Sequence, residues 1–243
     1  MENNNPNYVY QNVIQIDDQA SSRKFIANVF AWMFGALAIS AICAFIFNTN
    51  LALESLVRDP YTLAPTGLGI ILMIAPPAFI LLMNFGLNKI SFGGLAIIYV
   101  LYAACTGISL SILLYIYTTS SVMGVFVASS AMFGVMAVAG YTTHTDLTKF
   151  GSIMIMLLVG IIIASVVNMF IRSSGLFMLI NYVGVAVFVG LTAYKVQMLK
   201  RIGAGLEYGS AESKKLALMG GLSLYLTFVN LFIRLLMIFG RRR

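Results

Sequence analysis

The sequence predicts an all-α membrane protein, a bundle of seven transmembrane helices, and two observations carry that reading. Seven apolar stretches fill most of the 243-residue chain, each about as long as the ~20 residues that cross a ~30 Å bilayer core at ~1.5 Å per residue. None of the eight carboxylates falls inside these stretches, whereas Lys195 and Arg234 do. With 60% hydrophobic and 9% charged residues, the chain has more apolar surface than one soluble core could hide.

Residues 1–24, MENNNPNYVYQNVIQIDDQASSRK, are Asn-rich and too acidic for the n-region of a signal peptide, so they are expected to be an uncleaved, disordered polar tail. The transmembrane domain is expected over 25–239, with a basic tail at 240–243. Windows of about 19 residues place helices at Phe25 to Phe47, Thr66 to Leu87, Phe92 to Tyr117, Val122 to Tyr141, Phe150 to Ile171, Leu176 to Leu199 and Leu216 to Phe239. In the second of these, Pro76 and Pro77 remove backbone donors, so a kink or break is expected there, either as packing or as exposed carbonyls on an ion path. Ala103, Gly107 and Ser111 in the third, and Gly160 and Ala164 with Asn168 in the fifth, recur at four-residue spacing and are read as packing seams. Cys43 and Cys105 lie within spans and form no C-x-x-C pair, so buried thiols are expected rather than a metal site.

With the N-terminus in the cytoplasm, Arg23, Lys24, Lys89, Lys149, Lys200, Arg201, Lys214 and Lys215 fall inside, and Arg58, Arg172, Arg241, Arg242 and Arg243 fall outside. The excess on the inner side predicts this orientation, in a bacterial inner membrane. The terminal arginine run disagrees, and a re-entrant last helix would remove the conflict; at its length a full crossing is expected instead.

Several chemistries are excluded. The spans hold no Ser/His pair, paired aspartates or H-E-x-x-H motif, and the lone histidine, His144, lies in a loop. No phosphate-binding loop, dinucleotide fingerprint or Cys/His metal spacing occurs, so neither enzyme, cofactor nor nucleic-acid binding is expected. Passive conduction, sensing or regulation of a membrane partner remain.

On the seventh helix Ser223, Thr227, Asn230 and Arg234 share a face, as do Asn181, Thr192 and Lys195 on the sixth. Either these stripes meet between helices, since lipid offers their groups no partner, or Lys195 and Arg234 snorkel to the interface.

The segment GYTTHTDLTKFG resembles the loop signature of the bacterial Bax inhibitor family, in its YccA-like branch; its candidate motif residues are Gly140, Tyr141, Thr142, Thr143, Thr145, Asp146 and Gly151. LTAYKVQMLK (191–200) and LYLTFVNLFIRLL (224–236) resemble the signatures of its sixth and seventh helices. The resemblance implies a seven-helix bundle of the Bax inhibitor type, with a central helix wrapped by the others. It also implies a pH-sensitive calcium leak gated by two aspartates on the last two helices, which share a proton. Lys195 and Thr227 stand at those two positions. Calcium prefers carboxylate oxygens, and an ammonium there counts against calcium binding, so a lost or differently gated leak is expected. The alternatives are a non-conducting modulator of a membrane protease of the FtsH type or of membrane stress, and, more weakly, a small-solute or lipid transporter.

Overall fold

A computed structural model describes residues 18–59, 62, 64–87, 89–207 and 209–243. Among them the helices are α1 (Asp18–Thr49), α2 (Leu51–Val57), α3 (Gly67–Gly86), α4 (Phe92–Ile116), α5 (Thr119–Thr142), α6 (Thr148–Ile171), α7 (Ser174–Ala204) and α8 (Ala211–Phe239). Seven of them, all but α2, are long and apolar enough to cross a membrane. Short polar caps start many of them: Thr66 Oγ1 accepts from Gly69 N, Ser91 Oγ from Gly94 N, Ser173 Oγ from Leu176 N and Ser210 Oγ from Ser213 N. These hydroxyls satisfy amides that the first helical turn leaves without a partner.

The centre of the bundle is a pair of helices rather than one. α7 packs on α1, α5, α6 and α8, and α8 packs on α1, α4, α5 and α7. Both are far more buried than the outer helices α3 and α6, whose apolar surface faces outward as a lipid-facing helix requires. Edge-to-face aromatic contacts fill the seams, with Phe126 and Phe133 on Phe228 between α5 and α8, and Trp32 on Tyr99 and Phe92 between α1 and α4. α1 and α4 come close because Gly107 lies against the backbone of Ser40, where a β-carbon would have no room. The seam reading therefore describes Ala103 and Gly107, while Gly160 on α6 is exposed with open space beside it.

Two other sequence expectations are corrected. The helix boundary at Phe25 is too late: α1 begins at Asp18, and Ser21 and Ser22 are buried, their hydroxyls donating to the carbonyls of Leu206 (2.8 Å) and Lys200 (2.9 Å). The tail expectation for residues 1–17 lies outside the described residues. α3 is continuous through Pro76 and Pro77 with no break. Pro76 cannot donate to the carbonyl of Leu72 four residues earlier, and Ser109 Oγ of α4 donates to that carbonyl at 3.1 Å, supplying the lost hydrogen bond from a neighbour.

The last helix is not re-entrant. Arg241 to Arg243 join the α4–α5 connection, with Thr118 N donating to Arg241 O and Arg243 N to Ile116 O, both at 3.0 Å. At the opposite end, the start of α1 meets the α7–α8 connection, Lys200 donates to Tyr141 O, and Lys215 donates to Leu87 O. α8 thus runs from one end of the bundle to the other.

Candidate functional site

Two hydrogen-bonded contacts close the seam between the antiparallel helices α7 and α8. In the first, Lys195 Nζ donates to Thr227 Oγ1 at 2.8 Å and to Ser223 O at 3.2 Å. Thr227 is 1% exposed, and its hydroxyl donates in turn to Ser223 O at 2.8 Å, so the ammonium, the hydroxyl and the carbonyl form a closed triangle. In the second, Arg234 Nη1 donates to Asn181 Oδ1 at 3.2 Å, and the buried Asn181 amide donates to Phe177 O in its own helix. The stem of Arg234 packs over Gly184, which leaves room for it. The contacts are separated by about 21 Å along α7, from position 181 to position 195.

Each cationic head is therefore engaged by the facing helix, which is the interhelical arrangement rather than the snorkelled one. The other stripe residues do not join them. Thr192 is fully buried and bonds to Phe188 O, and Asn230 bonds to Leu226 O, each within its own helix. The Ser223 side chain is not what Lys195 contacts; the carbonyl of that residue is.

The loop motif packs on α7 beside Lys195. Gly140, at the end of α5, meets the backbone of Ala193, and Gly151, in the first turn of α6, meets the ring of Tyr194; a β-carbon at either would collide. Between the glycines, Tyr141 offers its carbonyl to Lys200 Nζ at 2.8 Å and its ring to the same ammonium at 4.7 Å. Thr142 bonds back to Val138 O, and Thr143 Oγ1 accepts from Thr145 N. Asp146 accepts from Thr148 Oγ1 (2.6 Å), Thr148 N (2.9 Å) and Arg201 Nη2 (2.9 Å). The Thr148 hydroxyl first, then its amide and the Arg201 guanidinium, hold the Asp146 carboxyl down to about 2.

Gln197 is the residue that sequence reasoning missed. It is 6% exposed, donates from Nε2 to Thr145 O (2.8 Å) and accepts Leu147 N on Oε1 (2.9 Å), so one amide side chain holds the loop on either side of Asp146. The signal was a glutamine two residues after Lys195 in an otherwise apolar helix, which places it on a different face from the lysine. A second missed contact joins α1, α4 and α8: Ser40 Oγ donates to Ala103 O at 2.7 Å and lies 2.7 Å from the Tyr225 hydroxyl.

Seven apolar crossings around a buried helix pair joined by polar contacts define a multi-pass helical membrane protein, embedded in a lipid bilayer. Residues 22–243 match the family described as Inhibitor of apoptosis-promoting Bax1, and the chain belongs to that Bax inhibitor family. It is 37% identical over 230 residues to the inner membrane protein YbhL of Escherichia coli K12, covering 94% of this chain and 96% of that one. It is also 41% identical over 220 residues to an uncharacterized protein of Borreliella burgdorferi, covering 90% and 93% of the two chains. A third relative, from Rickettsia prowazekii, is 36% identical over 224 residues, covering 91% of each chain.

Proposed function

We propose that this chain is a Bax inhibitor family protein of a bacterial inner membrane, N-terminus inside, whose ion leak is lost or is gated without a carboxylate pair. The observation that carries the proposal is the Lys195 ammonium, 2.8 Å from Thr227 Oγ1 in the seam between α7 and α8. The resemblance puts a proton-sharing aspartate pair at these positions, and here they hold a cation and a hydroxyl. At an effective dielectric of about 20, two unit charges about 4 Å apart interact by about 4 kcal/mol, and a divalent cation reaching the ammonium would meet roughly twice that repulsion. The seam thus resists calcium and has no shared proton to lose.

The test is flux from liposomes holding purified protein and an internal calcium indicator. Wild-type protein is expected to show no calcium flux that changes between pH about 6 and 8, whereas Lys195→Asp/Thr227→Asp creates a coupled carboxylate pair and a proton-dependent leak. Either single change is expected to stay silent, because aspartate opposite Lys195 makes an ion pair. Strong pH-dependent calcium flux in the wild type refutes the proposal. A folded double variant without a pH response also refutes it. Since α7 and α8 are tied at two levels, the same geometry suits a non-conducting modulator of a membrane protease; copurification with such a protease would favour that second reading.

A further inference from the structure

We propose that Arg241, Arg242 and Arg243 form an ordered surface for the headgroups of anionic phospholipids, in the leaflet that meets the end of α8. The run is held in place by its backbone. After Phe239 the chain turns along the α4–α5 connection and makes an antiparallel bridge between Arg242 and Tyr117. Thr118 N donates to Arg241 O and Arg243 N to Ile116 O, both at 3.0 Å, and Arg241 N donates to Ser121 Oγ at 3.0 Å. Gly240 permits the turn, since a β-carbon there would strike the buried ring of Tyr117.

These contacts leave the guanidinium groups nearly free. Among the described residues the one side-chain bond of the run is from Arg243 Nη2 to Thr119 Oγ1 at 3.3 Å. All three side chains are exposed, and among the described residues no carboxylate pairs with them. The carboxylates described at this end are engaged elsewhere: Glu54 Oε1 is 3.8 Å from Arg58 Nη1, and Asp59 Oδ1 accepts from Thr62 N at 3.1 Å. The depth is also right for a headgroup. Phe239, 68% exposed, ends the apolar surface of α8, and the run starts two residues later, where hydrocarbon gives way to the polar interface. Tyr115, exposed near the end of α4, marks the same level, as interfacial aromatic residues do. A guanidinium fork matches the oxygens of a phosphodiester. In a zwitterionic headgroup a neighbouring cation cancels that charge, so three unpaired arginines select anionic lipid.

Lipid bound here joins the end of α8 to the α4–α5 connection, so binding reads out as stability. The test follows thermal unfolding of the purified full-length protein in uncharged detergent micelles doped with short-chain phosphatidylglycerol or phosphatidylcholine. At about fivefold in affinity per arginine beside an anionic surface, the run contributes about a hundredfold. Phosphatidylglycerol should raise the midpoint at far lower doping than phosphatidylcholine, and Arg241→Gln/Arg242→Gln/Arg243→Gln should raise the doping required by about that factor. Glutamine keeps every backbone bond of the bridge. The matched variant Lys89→Gln/Lys149→Gln/Lys214→Gln, which removes three exposed charges from the opposite end, should shift the response by less than about fivefold. Equal shifts in the two triple variants would reduce the effect to net charge and overturn the site. So would wild-type protein that does not distinguish the two lipids, or that responds to inorganic phosphate as strongly as to phosphatidylglycerol. If the arginine triple variant does not fold, the three single Arg→Gln variants decide, and three silent variants overturn the site.

Discussion

Replacing Lys195 by methionine should leave stability within about 1 kcal/mol of wild type or raise it, whereas Thr227→Val should lower it by about 1.5–3 kcal/mol. The asymmetry follows from the hydrogen bonds each change strands. Lys195→Met removes two bonds, at 2.8 and 3.2 Å, but also removes the ammonium whose burial opposes them, and methionine fills a similar volume. Thr227 keeps its own bond to Ser223 O at 2.8 Å, so no polar group is left without a partner. Thr227→Val keeps the ammonium and deletes its nearer acceptor, leaving a half-buried charge on the Ser223 carbonyl alone. The double variant should resemble Lys195→Met, because no charge remains to be stranded. Unfolding by denaturing detergent in micelles, followed by the fluorescence of the single tryptophan, Trp32, reports all four proteins on one scale. A silent Thr227→Val together with a Lys195→Met loss above about 2 kcal/mol would refute the reasoning, since the ammonium would then stabilise the seam on balance.

Gly140→Ala should cost about 1–3 kcal/mol in the same assay, because its β-carbon collides with Ala193 backbone that cannot move without shifting α7. The folded-state carboxyl of Asp146 lies below its ordinary 3.8, at about 2, so its contribution is present above pH 3.8 and is lost as pH falls through about 2. Hydrogen exchange at Leu147 and Thr148 should accordingly be no faster at pH 5 than at pH 8 once corrected for intrinsic rates, and faster in Asp146→Asn at both. Gly205 and Arg242 are exposed at opposite ends of the bundle. An impermeant maleimide applied to intact cells should label Arg242→Cys and spare Gly205→Cys; the reverse pattern would invert the orientation.

The seven crossings were legible because a bilayer demands long uncharged stretches, and hydropathy alone measures that. What it could not see is polar surface buried by a specific partner. The first two turns of α1 look like tail until Ser21 and Ser22 find the carbonyls of Leu206 and Lys200. The same holds at Pro76 and Pro77, where the local rule forecasts a break and Ser109, from another helix, preserves continuity at Leu72. The short α2 carried a signal that went unread: Asn50 Oδ1 caps Ala52 N and Leu53 N ahead of Glu54. Helical periodicity placed Lys195, Thr192 and Asn181 on one face, but a face does not specify contact. Only the placement of α8 separates a lysine that reaches Thr227 from a threonine that bonds to its own turn.

That placement ties the loop motif and the polar seam together mechanically. Ala193, Tyr194 and Lys195 are consecutive on α7, yet they meet Gly140 of α5, Gly151 of α6 and Thr227 of α8. Gln197, one turn from Ala193, then clasps the loop between those glycines through Thr145 and Leu147. Because a packed interior transmits displacement rather than absorbing it, α7 cannot slide or rotate to part Lys195 from Thr227 while Gly140 and Gly151 stay seated on it. Separation at the seam therefore has two routes. Either α8 moves alone, against the α1 contact in which the Tyr225 hydroxyl lies 2.7 Å from Ser40 Oγ, or α7 moves with α5, the loop and α6 as one block. The second route keeps Gly140, Gly151 and Gln197 seated on their partners, but it must part Gly220 of α8 from Leu199 and Gly203 of α7 from Phe25 of α1, so either route meets close packing at the seam.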